Sequence, residues 1–356
     1  MIFSKRWATP MLAAAGMLAL QALPAQAQDY TIANLVSDGS VPAVTVDASL
    51  INPWGMSYAP GGPFWVSNNN AGSSTLYDSG GNKVPLTVAI PPPAGGTGSG
   101  TPTGQVFNGS THVFRVTSGG KTGAAFFLFA TEDGTIAGWA PSVDGVNAIL
   151  AVDNSGERAV YKGLATATIG NKHFLYASNF RAGDVEMYNG KFQLVRTFTD
   201  HTVPRGYAPF NVQTLSGMLY VTFAKQDAAK HDDVEGRGNG YVDVFTVEGA
   251  FVRRLVSRDQ LDSPWGLDIA PAGFGAFAGD LLVGNFGDGA INAFDPATGA
   301  FKGALRDANG LPIEIRDLWG LITGNGGMGG DATKVYFTAG LQKEAHGLFG
   351  SLSAAP

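Results

Sequence analysis

Three near-copies of one short motif constrain this chain more than anything else in it: Asn52-Pro53-Trp54-Gly55-Met56, Ser263-Pro264-Trp265-Gly266-Leu267 and Asp317-Leu318-Trp319-Gly320-Leu321. Pro209-Phe210-Asn211-Val212 is a looser fourth copy, and Pro102-Thr103-Gly104 and Lys162-Gly163-Leu164 fill the gaps. The Trp column then falls at 54, 103, 162, 210, 265 and 319, roughly fifty residues apart. A second column pairs a Gly with a large apolar residue five positions on: Gly72/Tyr77, Gly134/Trp139, Gly183/Tyr188, Gly240/Phe245, Gly289/Phe294 and Gly347/Leu352. Upstream of each lies a short aromatic and β-branched run such as Phe64-Trp65-Val66-Ser67 or Val335-Tyr336-Phe337-Thr338, bounded by Gly, Asn and Asp. A further run precedes most Trp-type motifs, as in 84–90 and 251–256.

Four strands per unit, six units and no convincing amphipathic helix predict an all-β, six-bladed β-propeller with four-stranded blades. The last unit has only three strands after Trp319. The segment Thr31-Ile32-Ala33-Asn34-Leu35-Val36 is therefore expected to complete the last blade and latch the ring, leaving no open sheet edge. The alternative is an open pair of β-sandwiches. Composition agrees with an all-β ring. Glycine supplies 50 of 356 residues, and only 15% are charged, too few for a coiled coil or long helical bundle. The 44% apolar share argues against bulk disorder, since it can build a large core.

The first residues read as a secretory signal. Lys5 and Arg6 precede an apolar stretch from Met11 to Leu20, and Ala25-Gln26-Ala27 gives a small-x-small cleavage pattern. That run is too short to cross a membrane. The expected layout is a leader over 1–27 and a single propeller domain over 28–356, monomeric, in the periplasm or outside the cell. The formal charge of −6 argues against a phosphate-backbone or nucleic-acid partner. With zero Cys there is no disulfide, thiolate metal site or Cys nucleophile.

In such rings, the loops leading into the inner strands and those joining second to third strands share one face. Trp54, Phe210, Trp265 and Trp319 should therefore ring one mouth of the channel. They form either a collar that stacks on a ligand or a blade-to-blade packing layer, with the following Gly admitting close backbone approach. The second-to-third loops carry Glu132, Asn179, Asn285 and His346, with Asn211 beside the inner-strand motif. Oxygen donors converging from several blades suit Ca²⁺, although Asn, Asp and Gly also serve plain turn chemistry. One loop is longer than its equivalents: 225–239 holds His231, Asp232, Asp233 and Glu235. A rigid scaffold places function on such insertions. No zinc His pair, Gly-x-Ser-x-Gly elbow or phosphate cradle is present.

Several stretches carry a family resemblance: Phe129-Ala130-Thr131-Glu132-Asp133-Gly134-Thr135-Ile136-Ala137-Gly138-Trp139, the segments 224–245 and 281–295, and Glu344-Ala345-His346-Gly347-Leu348-Phe349-Gly350. They resemble a family of exported bacterial six-bladed propellers. The likeness spans about residues 30–352 and implies fold and export but no activity. More distantly, the chain is similar to NHL-type propellers and to calcium-dependent lactonase-like propellers. The latter imply an inner-strand Asn that binds metal. Trp54, Trp265 and Trp319 stand in that place here, and only Asn211 lies near it.

Two expectations follow. The first is a scaffold binding a small molecule, a glycan or an envelope protein at the aromatic mouth, with Asp232, Asp233 and Glu235 giving selectivity. The second is a metal-assisted hydrolase or lyase acting on small esters or lactones. In that case Glu132, Asn179, Asn211 and Asn285 would hold Ca²⁺ and His231 or His346 would handle protons.

Overall fold

The computed structural model describes residues 1–2 and 29–355. Lys5 to Ala27 of the expected leader lie outside the described residues. The rest forms six blade sheets, antiparallel except for one short parallel edge pair, and a separate two-stranded hairpin. The first five blades begin at the inner strands Pro53–Ser57, Pro102–Phe107, Tyr161–Ile169, Tyr207–Leu215 and Pro264–Ile269. The sixth begins at Leu318–Thr323 and continues through Val335–Ala339 and Leu348–Ala354. Inner strands touch in chain order, and the last touches the first, so the ring closes.

Closure is made by the leading strand. Tyr30–Ser37 runs antiparallel to Leu348–Ala354, with Tyr30 opposite Ala354 and Ser37 opposite Leu348. Tyr30, Leu35 and Val36 are buried there. A two-residue strand, Thr45–Val46, adds in parallel outside it, so this sheet has five strands rather than four. The second blade also departs from the simple repeat. A hairpin of Arg115–Ser118 and Lys121–Ala124 is inserted between its first two strands, which accounts for the longest gap in the Trp column.

The Trp column has a backbone cause. Each inner strand breaks register with its neighbour at that residue: between Pro53 and Met56, Pro102 and Gln105, Tyr161 and Gly163, Pro209 and Asn211, Pro264 and Gly266, and Leu318 and Leu321. A bulge re-aims the extra side chain out of the ladder, and here the extra residues are Trp54, Thr103, Lys162, Phe210, Trp265 and Trp319. At the first position of the motif, Asn52, Ser263 and Asp317 all take the left-handed region, with φ of 49°, 47° and 55°.

Glycine after the column residue lets adjacent blades meet. A Cβ on Gly104 would lie 2.3 Å from Leu164 N, and one on Gly320 would lie 2.8 Å from Trp54 O. The fourth blade has Asn211 at this position. Its Nδ2 donates instead to the next blade's Trp265 carbonyl at 2.8 Å.

Candidate functional site: an axial cavity above an aromatic plug

The column aromatics close the channel. Trp54, Phe210, Trp265, Trp319, Phe180 and Phe286 form one buried cluster on the axis. Trp319 stacks on Trp54 at 3.4 Å and on Phe286 at 4.2 Å, while Trp265 meets both Trp54 and Trp319 edge-on. The rings spend their faces on each other, so they form a plug and not an open collar. Two indole N–H groups are satisfied: Trp319 Nε1 donates to Asn52 Oδ1 at 3.0 Å and Trp265 Nε1 to the Lys162 carbonyl at 3.1 Å. Trp54 Nε1 is buried without a partner among the described residues.

Above the plug lies a cavity of about 340 Å³. Trp54, Trp319 and Phe286 form its apolar floor, and Lys162, Lys343, Glu344, Asp317 and the insertion residues Asp232, Asp233 and Glu235 form its polar wall. The insertion thus brings three of its four acidic or imidazole candidates to one cavity.

Lys162 is the least expected member. Its side chain is 2% exposed. The ammonium hydrogen-bonds Glu132, lies 3.3 Å from Asp232 Oδ1 and sits 5.1 Å from the centre of the Trp54 ring. Burial works against the charged amine, but Glu132 and Asp232 outweigh it and hold the ammonium above its ordinary range. Asn69 Nδ2 donates to the second Glu132 oxygen at 2.8 Å, and His231 Nδ1 pairs with Asp232 Oδ1 at 2.8 Å. Glu132, His231 and Asp232 offer one ligand atom each, all within 4.8 Å of one another, a set able to coordinate a metal ion.

Glu344 reaches the cavity on a strained turn. Gln342, Lys343 and Glu344 are all left-handed, with φ of 58°, 59° and 65°. Each costs roughly 1–2 kcal/mol, so the surroundings must hold the turn in place. Asp317 Oδ2 accepts from Lys343 N at 3.0 Å, Asn52 Nδ2 donates to Glu344 Oε1 at 3.1 Å, and Asn70 Nδ2 donates to the Glu344 carbonyl at 2.8 Å. Backbone strain over-determined in this way concentrates at functional sites.

The carboxyl groups differ in acidity. Burial, reinforced by the Glu132 charge, pushes Glu344 up to about 7, and burial raises Asp233 to about 6. Asp232 is lowered to about 2, chiefly by its hydrogen bond with His231. The same bond raises His231.

The remaining sequence candidates lie elsewhere or are otherwise engaged. Asn179 Nδ2 donates to Glu186 at 2.7 Å. Asn285 Nδ2 donates to the Gln260 carbonyl at 2.7 Å and to Asp288 at 3.0 Å. Asn211 bridges two blades, as described above. His346 Nδ1 pairs with Asp38 at 2.6 Å, joining the sixth blade to the loop after the closing strand. Phe210 lies within the plug and does not line the cavity. Sequence reasoning missed Lys162, Lys343 and Asp317 as site residues, and from the last blade's loop it chose His346 over Glu344. For Lys162 a signal existed: it is the one charged residue in the column.

No family profile matches the sequence. Over 332 residues the chain is 33% identical to Uncharacterized protein R648 of Acanthamoeba polyphaga mimivirus, covering 91% of this chain and 80% of that one. Uncharacterized protein L690 of the same virus is 33% identical over 327 residues, covering 89% of this chain and 84% of its own length. The chain belongs to their family. Neither relative is bacterial, and neither name states an activity.

Among solved structures, streptogramin B lyase has a TM-score of 0.50 at 11% identity, covering 92% of this chain and 97% of that one. A catalytically inactive virginiamycin B lyase from Staphylococcus aureus with quinupristin has a TM-score of 0.52 at 10% identity, covering 91% and 99%. PQQ-bound aldose sugar dehydrogenase from Streptomyces coelicolor also has 0.52, at 12% identity, covering 92% and 99%. At such identities the likeness shows a shared propeller fold and nothing about chemistry.

Proposed function

We propose that the axial cavity is the active site of a hydrolase or lyase acting on small esters or lactones. The observation that carries this reading is the split in acidity around one cavity, Glu344 at about 7 against Asp232 at about 2. Carboxyl groups driven apart in this way divide the work. One exchanges protons near neutral pH and the other stays ionised. Glu344 is the general base, and the Lys162 and Lys343 ammonium groups would stabilise an oxyanion. The volume suits a small ligand. The two lyase structures share the fold, which is compatible with this reading and assigns no residue.

A base must be ionised to act. Turnover of a small ester or lactone panel should therefore rise with pH through about 7. Glu344→Gln should lower kcat/KM by about 100-fold or more and abolish that inflection. Stability should move the other way. The folded carboxyl titrates above its ordinary 4.5, so its stabilising effect is complete below that value and is lost as pH rises through about 7. At pH 8, Glu344→Gln should therefore gain stability, on the order of 2 kcal/mol. A silent panel, or a flat profile from pH 5 to 9 (about the working range of such assays), would sink the reading.

A second reading adds a divalent cation on Glu132, His231 and Asp232, favoured by their spacing. Ca²⁺ prefers six to eight oxygens, and the imidazole makes Mn²⁺ or Zn²⁺ a better fit. Thermal melts in EDTA and then in excess of each metal test it: a resident ion predicts a concentration-dependent rise in Tm. A scaffold stacking a glycan on the four column aromatics is less well supported, because those rings are buried against one another. Export to the periplasm or medium stays part of the proposal. It is checked by sequencing the mature N-terminus, with Gln28 expected first.

A further inference from the structure

Lys162 stands where packing would take an apolar residue. Its counterparts at the axial bulge are Trp54, Thr103, Phe210, Trp265 and Trp319, all uncharged. Its stem is buried in the plug, its carbonyl is capped by Trp265, and its ammonium contacts two of the three residues that could bind metal. A metal bound there would lie about 2.0–2.6 Å from each donor atom. The Lys162 nitrogen already lies within 3.3 Å of Asp232 Oδ1 and is hydrogen-bonded to Glu132 Oε1. Both cations cannot occupy that space.

Charge leads to the same exclusion. Glu132 and Asp232 supply two negative charges. With the ammonium in place, a divalent ion would bring the positive charge to three against those two carboxylates. Without the ammonium the balance is two against two.

We propose that the Lys162 ammonium is a built-in occupant of the Glu132–His231–Asp232 site, and that a divalent metal enters only by displacing it. The protein thus carries its own tethered cation in a metal-shaped seat. The displaced amine would move into the axial cavity, which Lys162 already lines. This rests on the second reading above, that the three residues can hold a metal at all.

Calorimetric titration with Mn²⁺, alongside melts, tests it on the wild-type protein, Lys162→Met and Lys162→Arg. Lys162→Met removes the charge and keeps most of the apolar stem. It should bind Mn²⁺ at least roughly thirtyfold more tightly than wild type and recover lost Tm as the ion is added. Lys162→Arg keeps the charge and should bind as weakly as wild type. The double variant Glu132→Gln/Lys162→Met removes both the unpaired charge and a ligand. It should fold and fail to bind, which separates a lost site from a lost fold. Equal affinity in wild type and Lys162→Met, or tight binding by Lys162→Arg, overturns the displacement. Mn²⁺ binding by no folded variant at about 10 mM overturns the metal reading along with it, and leaves the acid–base reading standing.

Discussion

Trp319→Ala is expected to destabilise the protein by about 3–5 kcal/mol, among the larger costs a single substitution can have. The ring is 1% exposed and lies between Trp54 and Phe286, so its removal leaves a void that stacked partners cannot refill without losing their own contacts. It also strips Asn52 of its indole donor, and Asn52 is what holds the Glu344 carboxyl. The urea midpoint measures the first effect. The pH profile of turnover measures the second, because the Asn52 hydrogen bond holds Glu344 down against burial, and weakening it should move the inflection upward. Trp319→Phe keeps one ring in the stack and loses the N–H and part of the buried indole volume, so it should cost clearly less. If Trp319→Ala cost under about 1 kcal/mol, the plug would not be the keystone that its burial indicates.

Deleting the strand before Asp38 should have a still larger effect. The chain would lose the cooperative unfolding transition altogether. Tyr30, Leu35 and Val36 would leave the core, and Leu348–Ala354 would become an unpaired edge rich in apolar residues. In a ring, every blade is held by two neighbours and an opened sixth blade weakens both of its contacts. Thermal melts and size-exclusion chromatography read the outcome: aggregation, and no sharp melt. A synthetic peptide covering residues 29–37, added during refolding, should restore the transition by taking the vacant place. A truncated chain that melts like the intact one would show the latch to be dispensable.

The ring was legible because it is written six times. A five-residue motif repeated with Gly-to-aromatic spacing reports a local geometry, and local geometry is what sequence encodes most directly. The same logic identified the closing strand, since a three-stranded last unit leaves an edge that needs a partner. The inserted hairpin in the second blade was less visible, because Arg115–Ser118 and Lys121–Ala124 fall outside any repeated column.

The site was legible only in part. The insertion stood out by length and charge, and Asp232, Asp233 and Glu235 do line the cavity. Asn179 and Asn285 looked like ligands by residue type, yet neither lines the cavity: Asn179 Nδ2 donates to Glu186, and Asn285 Nδ2 donates to the Gln260 carbonyl while its Oδ1 is buried without a partner among the described residues. Glu344 stands in a stretch that the sequence does mark, but nothing there sets it above its neighbour His346. Its acidity comes from burial and from the charge of Glu132, more than two hundred positions away.

Taken alone, the order of residues determined the blade count, the strand spacing, the latch and the loop most suited to chemistry, since each depends on neighbours along the chain. Only the folded molecule decided which groups share a cavity, that the column aromatics pack together as a plug, and that a lysine ammonium sits among metal-type donors. Those outcomes depend on distances between different blades and on how far each group is withdrawn from water. Both arise when the ring closes, and no single repeat contains them.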